Sequence, residues 1–251
     1  MPDKKHLPLW ARILLAVLGL LAVLVVGFVT WGETPARPMK EALAALPSTA
    51  QVTVTTDKWL TFQPAGVQPV TGFIIYPGGR VDYRAYAPTA RKIAEQGYLV
   101  VIVPMPLNLA VFKPDAAADV MTTHPEIQHW AVGGHSLGGS MAAHFVHAHP
   151  GAIQGLILWA SYPAGSDDLS SSRLKVLSIS GTLDGLSTPK KIEASRALLP
   201  AGTIFVFIAG GDHAQFGWYG PQVGDQPATI SREEQQAQIV RASLDFLKAL
   251  R

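Results

Sequence analysis

Six short apolar runs, each closed by turn residues, constrain this chain more than any other feature of its sequence. They are Gly72–Tyr76, Tyr98–Val103, His129–Gly133, Ile153–Ala160, Val176–Ser180 and Thr203–Ile208. Strands that are apolar almost without interruption suit a parallel sheet buried on both faces. Between them lie helical patterns. Tyr83–Gln96 ends at Gly97, and Leu137–His149 ends at Pro150-Gly151. Thr188–Leu199 carries Pro189 near its first turn, and Ser231–Leu250 opens as Ser-Arg-Glu-Glu, the pattern of a capping box. Ahead of all these, Gln51–Gln63 alternates polar and apolar residues and predicts an antiparallel hairpin at a sheet edge. The whole predicts a doubly wound, mostly parallel α/β sheet, with ligands bound at the carboxyl ends of its strands. No insertion is long enough for a large lid domain.

The N-terminus has a different character. Ile13 to Val29 carries no charge, and Trp10 and Trp31 flank it. A helix over this run spans roughly 25 Å, at the short end for crossing a bilayer. A run apolar on all faces at the extreme terminus argues against a core helix. The absence of a small-x-small motif just after it argues against a cleaved signal peptide. The resulting division is a tail over 1–12, a transmembrane signal anchor over 13–31, a Pro- and Ala-rich linker over 32–48 and an α/β domain over 49–251. Met39–Leu46 is a candidate short helix within the linker. Lys4, Lys5 and Arg12 precede the anchor, whereas Arg37 and Lys40 follow it. That balance places the main domain on the extracytoplasmic side of the membrane.

Of the 251 residues none is cysteine, which excludes disulfides, thiolate zinc sites and a cysteine nucleophile. The net charge is +2 and the basic residues are scattered, so no stripe points to nucleic acid.

One segment carries chemistry. Gly134-His135-Ser136-Leu137-Gly138 fits G-x-S-x-G between an apolar run and an Ala-rich helical pattern. A serine on a tight strand-to-helix turn projects its hydroxyl from the sheet. Glycines two residues to either side remove side chains where strand and helix pack closely. A phosphate cradle is the rival reading of a Gly-rich turn here, but no P-loop lysine follows.

Gly-His-Ser-Leu-Gly-Gly resembles the nucleophile elbow of the α/β-hydrolase superfamily. The resemblance extends over about Val70 to Leu250. It includes Tyr-Pro-Gly-Gly-Arg-Val-Asp at 76–82, Gly-Thr-Leu-Asp-Gly at 181–185 and Gly-Gly-Asp-His-Ala-Gln-Phe-Gly at 210–217. The chain is most similar to small capless bacterial hydrolases related to dienelactone hydrolases, with serine in place of their cysteine. The resemblance implies a serine hydrolase acting on an ester or related acyl bond of a small-molecule substrate through an acyl-serine, without metal or organic cofactor. A thioesterase, peptidase or acyltransferase uses the same triad, so the fold alone does not separate them. A membrane-tethered binding protein with a vestigial pocket is the non-enzymatic alternative.

In that fold the chain order is serine, acid, histidine. His213 is the only histidine after Ser161 and becomes the expected base for Ser136. Asp184 is the expected acid, with Asp167 and Asp168 as alternatives one strand earlier. The oxyanion hole requires two backbone N–H groups. Leu137, after the nucleophile, supplies one. The family's His-Gly-x turn aligns with Pro77-Gly78-Gly79-Arg80 and implies Gly79 for the other, with Arg80 as the alternative. Phe216, Trp218 and Tyr219 are candidates for an acyl-pocket wall or for packing. His144, His147 and His149 crowd one helix end without the i, i+4 pairing of a zinc helix, and a favourable helix dipole accounts for them.

Overall fold

The computed structural model describes residues 7–250; Lys4 and Lys5, counted in the charge balance above, lie outside them. In chain order the elements are α1 (Leu9–Gly32), α2 (Lys40–Ala44), β1 (Val52–Thr55), β2 (Leu60–Pro64), β3 (Thr71–Tyr76), α3 (Ala87–Ala94) and β4 (Leu99–Ile102). There follow α4 (Ala116–Thr123), β5 (His129–His135), α5 (Leu137–Ala148), β6 (Gly155–Trp159), β7 (Lys175–Gly181), α6 (Pro189–Ala194), β8 (Ile204–Ile208) and α7 (Arg232–Lys248). The strands form one sheet in the order β1-β2-β4-β3-β5-β6-β7-β8. The β1–β2 hairpin is antiparallel and joins β4 antiparallel; all later neighbours are parallel.

The six apolar runs are the six parallel strands, and the sheet sorts them by alternation. Phe73, Ile75, Val100, Ala131, Ile157, Trp159 and Leu177 face the layer that holds α3 and α7. Ile74, Tyr76, Val101, Val132, Leu156, Leu158 and Val176 face the layer that holds α4 and α5. Fully burying one such side chain contributes about 1.5–3 kcal/mol, so these two layers dominate the fold. Strand β8 departs from expectation. Among the described residues nothing pairs beyond it, and Ile204 and Phe207 remain exposed on this edge.

Helix boundaries follow local chemistry. Ser231 and Glu234 form the predicted capping box, with the Ser231 N–H donating to Glu234 Oε2 at 2.8 Å and the Glu234 N–H donating to Ser231 Oγ at 3.2 Å. The predicted helix 83–96 splits into a 3₁₀ turn, Tyr83–Tyr86, and then α3. Pro88 is the cause, because a proline ring inside a continuous helix collides with the carbonyl four residues earlier. Helix α4 has no sequence signature, since its cap is tertiary. Tyr76 Oη accepts the Ala117 N–H at 2.7 Å and donates to Pro114 O at 2.7 Å.

Helix α1 runs 24 residues, about 36 Å, beyond both ends of the uncharged run. By length and composition it is able to cross a membrane. The segment read as a linker is laid against the body. Ala36 pairs with Val81 in a parallel bridge, the Met39 N–H donates to Trp218 O at 2.8 Å, and Ala42 of α2 is fully buried.

Candidate active site

The elbow forms where β5 turns into α5. Ser136 sits between them with φ 52° and ψ −123°, a conformation that costs a non-glycine residue about 1–3 kcal/mol. Hydrogen bonds hold it there. The Ser136 N–H donates to Trp159 O at 3.0 Å, and its carbonyl accepts from Ser161 Oγ at 2.6 Å and from the Ser140 N–H at 3.1 Å. The flanking glycines are required by close approach. A Cβ on Gly134 or Gly138 would run into the Tyr76 carbonyl, and on Gly138 into that of Pro77 as well. Gly138→Ala is therefore expected to destabilise the protein by about 1–3 kcal/mol, read from urea unfolding of the two forms.

His213 and Asp184 come together as a fully buried pair, Nδ1 to Oδ2 at 2.8 Å. The other carboxylate oxygen, Oδ1, accepts the Leu186 and Ser187 N–H groups at 2.8 and 2.6 Å, so Asp184 is held on both sides. The alternative acids are engaged elsewhere: Asp167 lies 3.1 Å from His144 Nδ1, and Asp168 accepts the Ser170 N–H at 2.8 Å. His213 Nε2 is buried, and among the described residues it has no hydrogen-bond partner. Thus Ser136 Oγ and His213 Nε2 are not hydrogen-bonded in this state.

The Pro77–Arg80 turn lies against the elbow: a Cβ on Gly79 would stand 3.0 Å from Leu137 Cδ2. Leu137 is the first residue of α5, where the N–H has no intrahelical acceptor. Among the described residues the Gly79 N–H has no backbone partner either. The Arg80 N–H, the alternative donor, is occupied by Asn108 O at 2.8 Å.

Two residues missed in the sequence organise these loops. The Tyr86 hydroxyl accepts the Gly78 N–H at 2.9 Å and meets His135 Nδ1 at 2.9 Å. The direction of that second bond follows the His135 tautomer: with the ring proton on Nε2, the Tyr86 hydroxyl donates to Nδ1. Burial, and secondly the neighbouring His213 with its ring 4.4 Å away, hold His135 well below an ordinary histidine's pKa and keep it neutral. Asp225 joins the acid and base loops, taking the Gly185 N–H at 2.9 Å on Oδ1 and the Ala214 N–H at 2.8 Å on Oδ2. Asp225→Ala is expected to lower kcat by about 10- to 100-fold while KM moves less than about twofold, checked by steady-state kinetics. The signal for both residues was weak, because a tyrosine within a helical pattern and an aspartate in a polar loop are ordinary.

The aromatics after the base are mainly packing. Phe216 stacks on His135 with ring centroids 5.8 Å apart, and Trp218 and Tyr219 are buried, Tyr219 donating to Gln222 Oε1 at 2.8 Å. His144, His147 and His149 turn to separate partners, Asp167, the Asp168 carbonyl and Asp115. A cleft of about 540 Å³ borders Gly79, lined also by Thr34, Pro35, Arg80, Tyr219 and Val223. A larger hollow of about 790 Å³, near the amino ends of β6 and β7, is lined by Asp168 but by none of Ser136, Leu137, Gly79, Asp184 and His213.

A profile described as "Alpha/beta hydrolase family" matches residues 72–237. Among curated protein sequences none matches this chain. Several solved structures share the fold. The esterase domain of a Rhodothermus marinus protein is 14% identical at a TM-score of 0.61, covering 79% of this chain and 98% of its own. A dienelactone hydrolase-like promiscuous phosphotriesterase from metagenomic libraries is 15% identical at 0.59, covering 76% and 92%. The dienelactone hydrolase of Anabaena variabilis is 14% identical at 0.57, covering 80% and 100%.

Proposed function

The chain belongs to the α/β-hydrolase family, and on that footing we propose that it is a serine hydrolase cleaving an ester or related acyl bond. The observation that carries the reading is the buried His213–Asp184 pair at 2.8 Å beside a strained Ser136 elbow. Structural ion pairs also occur in cores, but one that leaves a buried histidine nitrogen without a partner next to an elbow serine is what a general base requires.

His213 Nε2 takes the Ser136 proton as Oγ attacks the acyl carbon. The carbonyl electrons move onto oxygen, where the Leu137 and Gly79 N–H groups stabilise the charge. Collapse breaks the acyl–oxygen bond, and the imidazolium returns its proton to the leaving alcohol. Water then repeats the sequence on the acyl-serine and releases the acid. Asp184 holds His213 with its proton on Nδ1 and stabilises the imidazolium.

Helix α1 is read as an uncleaved signal anchor over 13–31, with the hydrolase domain over 49–251 on the extracytoplasmic side. The tight packing of residues 34–46 on the body supports one unit rather than a tethered pair. The test is fluorophosphonate labelling of the full chain in detergent, beside Ser136→Ala, with p-nitrophenyl esters of rising chain length. Labelling of the wild type alone is expected. The open Ser136–His213 contact is the one observation favouring a vestigial pocket, and no labelling of folded wild type would move the binding-protein reading to the front.

A further inference from the structure

Helix α1 and the oxyanion turn are joined by the capping of the helix's own C-terminus. Its last carbonyls have no intrahelical donors and need partners. Val29 O receives the Glu33 N–H at 2.9 Å, and Thr30 O receives Thr34 Oγ1 at 3.0 Å. The next two are served from the body. Arg80 Nε donates to Trp31 O at 2.9 Å, and Asn108 Nδ2 donates to Gly32 O at 3.0 Å. The Arg80 guanidinium also lies 4.3 Å over the Trp31 ring and donates to Thr34 O at 2.7 Å. The two capping residues are tied to each other through the Arg80 N–H and Asn108 O, and both have positive φ, 54° and 55°. Gly32, the one buried residue of α1, meets Leu107 so closely that a Cβ would stand 2.9 Å from Leu107 Cβ.

This geometry sets the height of the site above a membrane. Phe28 belongs to the uncharged run, and Phe112 meets its ring edge-on, with centroids 6.2 Å apart. Phe112 therefore stands at the depth of the last apolar turn of α1, although half of it is exposed. Val111 beside it is also exposed, and Val223, on the cleft that borders Gly79, is 98% exposed. Apolar side chains left in water at the level where a membrane helix ends are accounted for if they meet the headgroup–acyl boundary. Arg80 is the neighbour of Gly79 in sequence, so the turn proposed to hold the oxyanion lies about 10 Å from the end of the helix.

We infer that the carboxyl edge of the sheet faces the bilayer and that the site takes its acyl substrate from the leaflet: a lipid ester or similar acyl amphiphile, entering by the cleft between residues 34–36 and 219–223. The inference rests on the serine-hydrolase and membrane-anchor readings. The bond broken is the same acyl–oxygen bond, with water as co-reactant.

The chain contains no cysteine, so single cysteines report position without background. Val111→Cys, Val67→Cys and Leu20→Cys forms of the full chain, labelled with an environment-sensitive NBD dye, are placed in phosphatidylcholine–phosphatidylglycerol vesicles containing spin-labelled lipid. Val67 is exposed between β2 and β3, at the opposite edge of the sheet. Quenching is expected at Leu20 and Val111 and not at Val67. With 4-methylumbelliferyl oleate in the vesicles, Val111→Ser/Phe112→Ser is expected to lose roughly 10-fold in rate, and on soluble p-nitrophenyl acetate less than about twofold. An unquenched Val111 beside a quenched Leu20, or equal losses on the two esters, overturns the inference, while fluorophosphonate labelling at Ser136 leaves the hydrolase reading standing. No quenching at Leu20 removes the anchor reading, and no labelling of Ser136 removes the hydrolase reading; either takes this inference with it.

Discussion

Ser136→Ala is expected to lower kcat for p-nitrophenyl esters by about 10⁴-fold or more, leaving only what binding and the oxyanion donors provide. The substitution removes one oxygen at a half-buried position. Its hydroxyl makes no hydrogen bond among the described residues, whereas the elbow is pinned through the Ser136 backbone, to Trp159 O, Ser161 Oγ and the Ser140 N–H. Folding should therefore be retained. Circular dichroism and thermal unfolding of the variant, beside its kinetics, separate lost chemistry from lost structure. Turnover within about tenfold of wild type, with the elbow folded, would remove Ser136 as nucleophile.

Asp184→Asn is expected to cost about 10³- to 10⁴-fold in kcat through the histidine tautomer rather than through geometry. The amide oxygen of the introduced side chain can keep the Leu186 and Ser187 N–H bonds that Asp184 Oδ1 now accepts. Its NH₂ group then points at His213 Nδ1, where Oδ2 lies 2.8 Å away in the wild type. A donor in that place makes Nδ1 an acceptor, drives the proton to Nε2 and removes the lone pair that should receive the Ser136 proton. Asp167→Asn is the control, because that carboxylate pairs with His144. Its turnover should stay within about threefold of wild type. A large loss in Asp167→Asn and a small one in Asp184→Asn would reverse the assignment of the acid.

Much of this was legible before any coordinates. Each of the six parallel strands overlaps its predicted run; for the five interior ones the reason is that a strand buried on both faces is apolar almost throughout, whereas β8 is as apolar but lies on the edge. The hairpin and the capping box of α7 were equally local, since alternation and Ser-x-x-Glu report their own structure within a few residues. The elbow was readable for a related reason. Glycines at 134 and 138 answer to a crossing of backbone past the Tyr76 carbonyl, and the apolar run before them and the helical pattern after them supply the context that the motif alone lacks.

Other features arise from residues far apart in the chain. Tyr76 caps α4 from 41 residues away, Asp225 ties together loops at 185 and 214, and Tyr86 links the turn at Gly78 to His135. No local pattern encodes such pairs, because each partner is a common residue in an ordinary setting and only the packed sheet makes them neighbours. The same holds at the N-terminus. The sequence by itself determined an uncharged run long enough, as part of a helix, to cross a bilayer and a doubly wound sheet with a serine at its elbow. Only the tertiary structure decided that the helix ends on Arg80 and Asn108, next to the turn proposed to hold the oxyanion. Unsatisfied carbonyls at a helix end must find donors, and which donors they find depends on how the chain has folded back to meet them.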